Sequence, residues 1–334
     1  MKTTEELVEK LMLQCGLGTV LPPVLPVSGG FLHRMYKVTT DSGIYAVKQL
    51  NAEIMSRPDA RDNFLRAEKL ECILEKNGIP IIPSLTIAGK KMQKAEGCYF
   101  YIFNWVEGHI TDWKDITNDK CYKAGNILGK IHAIEPGDRK HPAPVFSHID
   151  WCGYILRAKR EKSELAELLT DNEALFLYAE RELNKARSLL PDILCISDED
   201  MDPKNVMWVG EDPWVIDLEC LDYGNPVSSV LQLALQWAGT VVYDIDVGKL
   251  TAFFDGYLNA YDNHFRAYSD VFGVAYTWVE WLAYNIRRAL GDCGDEEERK
   301  TGISEVRNTV RRISYLYEME KKIRAALDLR LRGI

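Results

Sequence analysis

Residues Cys195 to Glu219 read CISDEDMDPKNVMWVGEDPWVIDLE, and the fold turns on how that stretch is parsed. Leu194, Cys195 and Ile196 are apolar, Ser197 to Asn205 is polar and acidic, and two apolar runs follow, Val206 to Val209 and Trp214 to Ile216, separated by Gly210-Glu211-Asp212-Pro213. Short apolar runs bounded by turn formers predict a strand, an acidic loop and a hairpin. Asp200 stands five positions before Asn205, and Asp217 ends the second hairpin strand. A carboxylate, a carboxamide and a second carboxylate could therefore meet at one edge. Phosphoryl transfer from a nucleotide needs a group that accepts the attacking hydroxyl's proton and oxygen ligands for the metal bridging the phosphates. Asp200 fits the first role, and Asn205 and Asp217 the second. A calcium loop starting at Asp198 is excluded, because its sixth position is Pro203 and its twelfth Val209, where Gly and Glu are required. An acidic surface turn between buried strands is the other reading of the same residues.

Upstream, Ser28-Gly29-Gly30 separates two strand-like runs. Glycine amides can approach phosphate oxygens closely, although a Gly-Gly pair between strands also makes a plain hairpin. Gly43 to Leu50 reads as a strand with Lys48 set among apolar residues, the context of a phosphate-binding lysine or of a solvent-facing one. A helix is predicted from Asp59 to Asn77, with Gly78 as its stop. On it Glu68 lies beside the stripe Phe64, Ala67, Leu70 and Leu74, where it could pair with Lys48; Glu71 and Glu75 are alternatives in another register. Further strands are expected around Ser84 to Ala88 and Cys98 to Trp105, and the near-continuous apolarity of Tyr99 to Trp105 suits a strand buried on both faces. Gly108 marks a domain boundary, giving residues 1–107 and 108–334.

Beyond it the period is helical. Helices are expected around Ala124 to Ala133, as a pair within Arg157 to Leu189, and at Val227 to Ala238, Val247 to Tyr261, Tyr268 to Leu290 and Glu305 to Arg330. Asp222, Tyr223, Trp237, Trp278, Glu280, Trp281 and Tyr284 are candidates for a pocket that takes ammonium groups, against the commoner reading of helical aromatics as core. The cluster Asp292 and Asp295 to Glu298 reads as a solvated loop.

Ser197 to Trp208, followed by Val215-Ile216-Asp217-Leu218-Glu219, resembles the aminoglycoside phosphotransferase and choline kinase superfamily, small-molecule kinases of protein-kinase-like fold. Ala124 to Ala133 resembles that family's LGxxHA helix, with His132 as a structural residue. The resemblance spans about Val27 to Pro226 and implies an α+β fold of two lobes, an N-terminal antiparallel sheet with one main helix and a mostly helical C-terminal lobe. It implies Asp200 as catalytic base, Asn205 and Asp217 as Mg2+ ligands, Lys48 on the α- and β-phosphates of ATP or GTP, and Glu68 as its partner. Ser28, Gly29 and Gly30 would cover the phosphates, and the backbone of Phe103, Asn104 and Trp105 would read the adenine. The chain departs from the family at Asp198, where His is usual, and at His33, where Asn is common. These departures motivate the alternative of a catalytically silent kinase-like binding protein.

Bulk properties agree with a soluble globular chain of 334 residues, 46% hydrophobic and 27% charged. A formal charge of −9 argues against non-specific nucleic-acid binding and mildly favours a cationic acceptor, aminoglycoside-like or a metabolite such as choline, with homoserine and thio-sugars also open. Eight cysteines without a CxxC pair indicate neither a zinc site nor a disulfide framework. There is no GxxxxGK[ST], and Gly16-Leu17-Gly18 lacks the third glycine and preceding strand of a dinucleotide fingerprint. No run approaches the roughly eighteen apolar residues of a membrane span, and the acidic start lacks a signal-peptide pattern. The expectation is a cytoplasmic monomer or homodimer whose partners are a nucleotide and a small-molecule acceptor.

Overall fold

The computed structural model describes residues 3–27, 33–134, 145–292 and 295–332. The chain divides into two compact units, residues 1–111 with 204–222, and residues 112–203 with 223–334.

The first unit is built on an antiparallel sheet of β1 (Leu25–Val27), β2 (Arg34–Thr40), β3 (Gly43–Gln49), β4 (Gln93–Ala95) and β5 (Cys98–Asn104), in the order β1-β2-β3-β5-β4. Alternation along the strands sorts side chains onto two faces. Val38, Val47, Phe100 and Ile102 point to one face, where helix α1 (Thr4–Gln14) buries Val8, Leu11 and Met12 against them. Tyr101 points to the other, with Phe64 of helix α3 (Ala60–Lys76); the short helix α2 (Ala52–Met55) precedes α3. The apolar run at Tyr99 to Trp105 thus has a helix on each face. Lys48 stands opposite Tyr101 in the ladder and so shares the α3 face, while its neighbour Val47 enters the α1 core.

No strand forms at Ser84 to Ala88. In place of the expected strand there are single contacts: Leu85 N–H donates to Ile102 O at 2.7 Å, and Ile87 and Lys90 close a turn. Glu71 explains the irregularity, because its buried carboxylate accepts from Ser84 N–H at 2.5 Å and from Lys91 Nζ at 3.0 Å, pulling this segment toward α3 instead of along β5.

Strand β6 (His109–Ile110) belongs to this unit, and strand β7 (Cys195–Asp198) to the second. Then β8 (Val206–Val209) and β9 (Asp212–Val215) form the hairpin expected from the sequence, with Val206 opposite Val215 and β6 on the outer edge of β8. Val215 N–H donates to Pro80 O and Ile82 N–H to Val215 O, both at 2.9 Å, so the hairpin is stitched to the residues following α3. Strand β10 (Leu221–Gly224) ends this stretch.

The second unit is helical: α4 (Asn118–His132), α5 (Trp151–Arg160), α6 (Ala166–Asp171), α7 (Glu173–Leu189), α8 (Pro226–Trp237), α9 (Val247–Ala260), α10 (Trp278–Ala289) and α11 (Glu296–Leu327). The N-terminal sheet with one main helix and the helical remainder are the α+β, protein-kinase-like architecture. Helices α4 and α9 approach closely at glycines: a Cβ on Gly125 would collide with Phe253 O, and one on Gly256 with Tyr122 O. The region Tyr268 to Leu290 is not one helix, since a 3-10 segment, Phe272–Thr277, precedes α10. The acidic cluster expected as a loop starts α11 instead: Asp295 Oδ1 accepts from the N–H groups of Glu297 and Glu298, and Glu296 to Glu298 fill the first turn, where the helix dipole favours carboxylates.

Candidate functional site

Within the first unit the hairpin determines where the acidic groups stand. Ile216 N–H donates to Asn205 O at 2.9 Å, one rung beyond the Val206 and Val215 pair, so Asn205 and the residue after Ile216 lie at the same open end of the hairpin. That residue is Asp217, in the left-handed region at φ 61° and ψ 54°. A non-glycine residue there is uncommon and costs energy, with Asp among the better tolerated types. The turn reverses the chain into the 3-10 segment Leu218–Cys220, which packs on α3.

That reversal carries Glu219 to Lys48. Lys48 is buried, and its Nζ donates to Asp217 Oδ1 and to Glu219 Oε2, each at 2.5 Å. Burial by itself would push the ammonium down, but the carboxylates of Glu219 and Asp217 outweigh it and hold Lys48 above its ordinary value. Burial would likewise raise Glu219; the hydrogen bond from His33 and the charge of Lys48 bring it below the usual carboxylate range instead. Lys48 and Glu219 are therefore an ionised pair.

Glu68 is not the partner of Lys48 in this structure. It accepts from Tyr101 Oη at 2.8 Å and from Met92 N–H at 3.2 Å. The alternatives on the same helix are engaged too: Glu71 holds Ser84 and Lys91, and Glu75 lies 3.9 Å from Lys91. The residue that the sequence analysis missed is Glu219. Its signal was present, as the acidic residue two positions after Asp217, but only the turn at Asp217 reveals where it goes.

At the end of β5, Trp105 N–H donates to Ile44 O at 3.0 Å, which extends the sheet by one rung and removes that donor from any ligand. Phe103 stands opposite Ala46 in the same ladder. Antiparallel alternation then turns the N–H and C=O of Asn104 to the other edge, the side on which Ile102 O meets Leu85 N–H. The Trp105 indole donates to Glu107 at 2.6 Å, and Lys37 Nζ lies 4.1 Å from the ring centroid. Ser28, Gly29 and Gly30 lie outside the described residues.

Asp200 belongs to the second unit, half-buried in the loop after β7. Asp198, where the resembling family has His, is fully buried and accepts the Asp200 N–H through Oδ1 at 3.1 Å. A carboxylate thus ties the loop backbone at the position of the departure. On α4, His132 is buried, its Nδ1 2.9 Å from Tyr257 Oη, and burial pushes it down to about 3. That is the behaviour of a core histidine.

The acceptor candidates separate. Trp237 is buried, donating to Met201 O at 3.0 Å, and Glu280 accepts from Arg187 Nη1 and Nη2 at 2.8 and 2.9 Å. Asp222 pairs with Arg66 at 2.7 Å. Trp281 is exposed and stacks on Tyr284, and Trp278 lies under the guanidinium of Arg312 at 4.0 Å.

Among the described residues no group of three His, Cys, Asp or Glu side chains could hold a metal ion. A carboxylate with a carboxamide nevertheless suits magnesium, which binds through one or two carboxylates and completes its shell with water and substrate phosphates.

The model of the phosphotransferase enzyme family, APH, matches residues 23–271. The chain belongs to that family. Among solved structures this phosphotransferase is similar to a spectinomycin phosphotransferase, APH(9)-Ia, solved with ADP and spectinomycin, at 14% identity and a TM-score of 0.67, covering 98% of this chain and 99% of that one. It is also similar to a choline/ethanolamine kinase family protein from Mesorhizobium loti, at 15% identity and 0.61, covering 97% and 98%. A third is an amicoumacin kinase, hAmiN, solved with AMP-PNP, Ca2+ and Ami, at 13% and 0.60, covering 92% and 94%. Among curated proteins no sequence matches significantly. Membership of that family makes it a small-molecule kinase. Among its described residues no helix is long and apolar enough to cross a membrane.

Proposed function

We propose that this phosphotransferase moves the γ-phosphate of ATP or GTP to a hydroxyl of a small, cationic acceptor. The observation that carries this reading is the buried Lys48 held between Asp217 and Glu219 at 2.5 Å each. A buried, ionised lysine on a sheet is a fixed point charge suited to the α- and β-phosphates, and it sits against the carboxylate assigned to the metal. The backbone N–H and C=O of Asn104, with Phe103 and Trp105 beside it, read the adenine edge, and Ser28, Gly29 and Gly30 cover the phosphates. Asn205 and Asp217 hold Mg2+. When bound, the ion neutralises charge on the transferring phosphoryl group. Asp200 accepts the acceptor hydroxyl's proton, and Asp198 holds its backbone for that task. The formal charge of −9 supports a cationic acceptor, as do relatives whose structures carry the names of spectinomycin and choline or ethanolamine.

Nucleotide turnover measured with Mg-ATP and Mg-GTP against aminoglycosides, spectinomycin, choline, ethanolamine, homoserine and sugars tests this. Turnover with one acceptor class, reduced about 10²–10⁴-fold in Asp200→Ala, is the expected result. Activity unchanged by that substitution would remove Asp200 from the chemistry.

A further inference from the structure

His33 is buried on the α3 side of the sheet, its ring tilted 58° against Phe64 at a centroid distance of 6.2 Å. Its two nitrogens have different partners. Asn51 N–H donates to Nδ1 at 3.0 Å, which places the ring proton on Nε2, and Nε2 faces Glu219 Oε1 at 3.1 Å. Asn51 is itself fixed as the N-cap of α2, its side chain accepting from Glu53 N–H at 2.8 Å. The ring is therefore anchored on one side and donates on the other.

Glu219 offers two equivalent oxygens and a broad terminal torsion. Donation from His33 occupies Oε1 and leaves Oε2 for Lys48, so one histidine sets which carboxylate oxygen meets the lysine and at what angle. The run is continuous: Asn51 backbone, His33, Glu219, Lys48, Asp217. We infer that His33 is a positioning residue for the nucleotide clamp, acting through Glu219 to aim the Lys48 ammonium at the phosphates. The inference rests on the reading of Lys48 as the phosphate-binding lysine. Loss of the His33 donor should weaken nucleotide binding without touching the acceptor.

The two nitrogens can be tested separately. The amide nitrogen of His33→Gln reaches the place of Nε2 and restores the donor to Glu219. The carboxamide oxygen of His33→Asn restores the acceptor for Asn51 but is too short for Glu219. Affinity for Mg-AMP-PNP or Mg-GMP-PNP, whichever the wild type binds tighter, is measured by calorimetry, with the melting temperature of each variant alongside. His33→Asn should bind about tenfold more weakly, the effect of losing a hydrogen bond to a charged group, and His33→Gln within about twofold of wild type. On a Glu219→Gln background His33→Asn should have no further effect, because the path runs through that carboxylate. Wild-type affinity in His33→Asn, equal weakening in both variants, or full additivity with Glu219→Gln would overturn the inference. Lys48→Met separates this from the parent reading. If it binds nucleotide as tightly as wild type, or if the wild type binds neither nucleotide, the lysine assignment fails and the role of His33 fails with it.

Discussion

Glu219 and Glu68 make opposite demands on their surroundings. Glu219 is ionised beside a buried ammonium, whereas Glu68 accepts from a phenol and a backbone amide. Glu219→Gln should therefore weaken nucleotide affinity about tenfold, while Glu68→Gln should leave it within about twofold and instead cost about 1 kcal/mol of stability. Calorimetric titration with a non-hydrolysable nucleotide and denaturant unfolding read the two effects. Asp198 is a residue of the same kind. Asp198→Asn keeps an oxygen for the Asp200 N–H, whereas Asp198→Ala removes it, so turnover should fall clearly only in the alanine variant. His132 contributes a pH dependence. Its value falls from 6.5 to about 3 on burial, so below pH 6.5 the unfolded chain takes up a proton that the folded chain refuses. Stability attributable to this residue is thus complete above 6.5 and declines as pH falls toward 3, by at most about 1.4 kcal/mol per pH unit. Chemical unfolding between pH 7 and 4 should show a shallower acid slope in His132→Phe than in the wild type.

Elements matter where they come close. Helix α4 meets α9 at Gly125, Gly129 and Gly256, whose missing side chains leave room for the facing backbone. Gly256→Ala puts a methyl against Tyr122 O, so it should destabilise by about 1–3 kcal/mol in urea unfolding, as overpacking does, or more if the helices cannot part. Glycines in Ala124 to Ala133 were legible as part of a helix with a family pattern, but the identity of the facing helix was not. Similarly, the apolar run of β5 signalled burial on both faces without saying that α1 covers one of them. The strand expected at Ser84 to Ala88 fails for the same reason, because the buried Glu71 carboxylate claims the Ser84 amide. Local periodicity does not register a competing acceptor on another element.

At the scale of the molecule, binding is the accessible readout. A nucleotide at about a hundred times its dissociation constant stabilises the folded chain by about 2.7 kcal/mol, and the resulting rise in melting temperature should need Mg2+ and disappear with EDTA. Asp200→Ala should keep that rise while losing turnover, which separates binding from chemistry. The net charge of −9 implies that kcat/KM for a cationic acceptor falls as ionic strength increases, whereas a neutral acceptor should be little affected. Turnover across a salt series with both kinds of acceptor measures the difference.

The order of elements, the Asp200, Asn205 and Asp217 spacing, the strand lysine and the hairpin from Val206 to Val215 could all be read from the residues, because periodicity and spacing are properties of near neighbours. The partner of Lys48 could not. In one dimension the helix register points to Glu68, with Glu71 and Glu75 as alternatives, whereas the pairing with Glu219 depends on how α3 is rotated over the sheet and on the left-handed backbone at Asp217. The same holds for Trp105, whose amide is spent on Ile44 only because β3 and β5 pair in one particular register. Contacts between residues far apart in the chain are set by packing and register, and those exist only once the elements have come together.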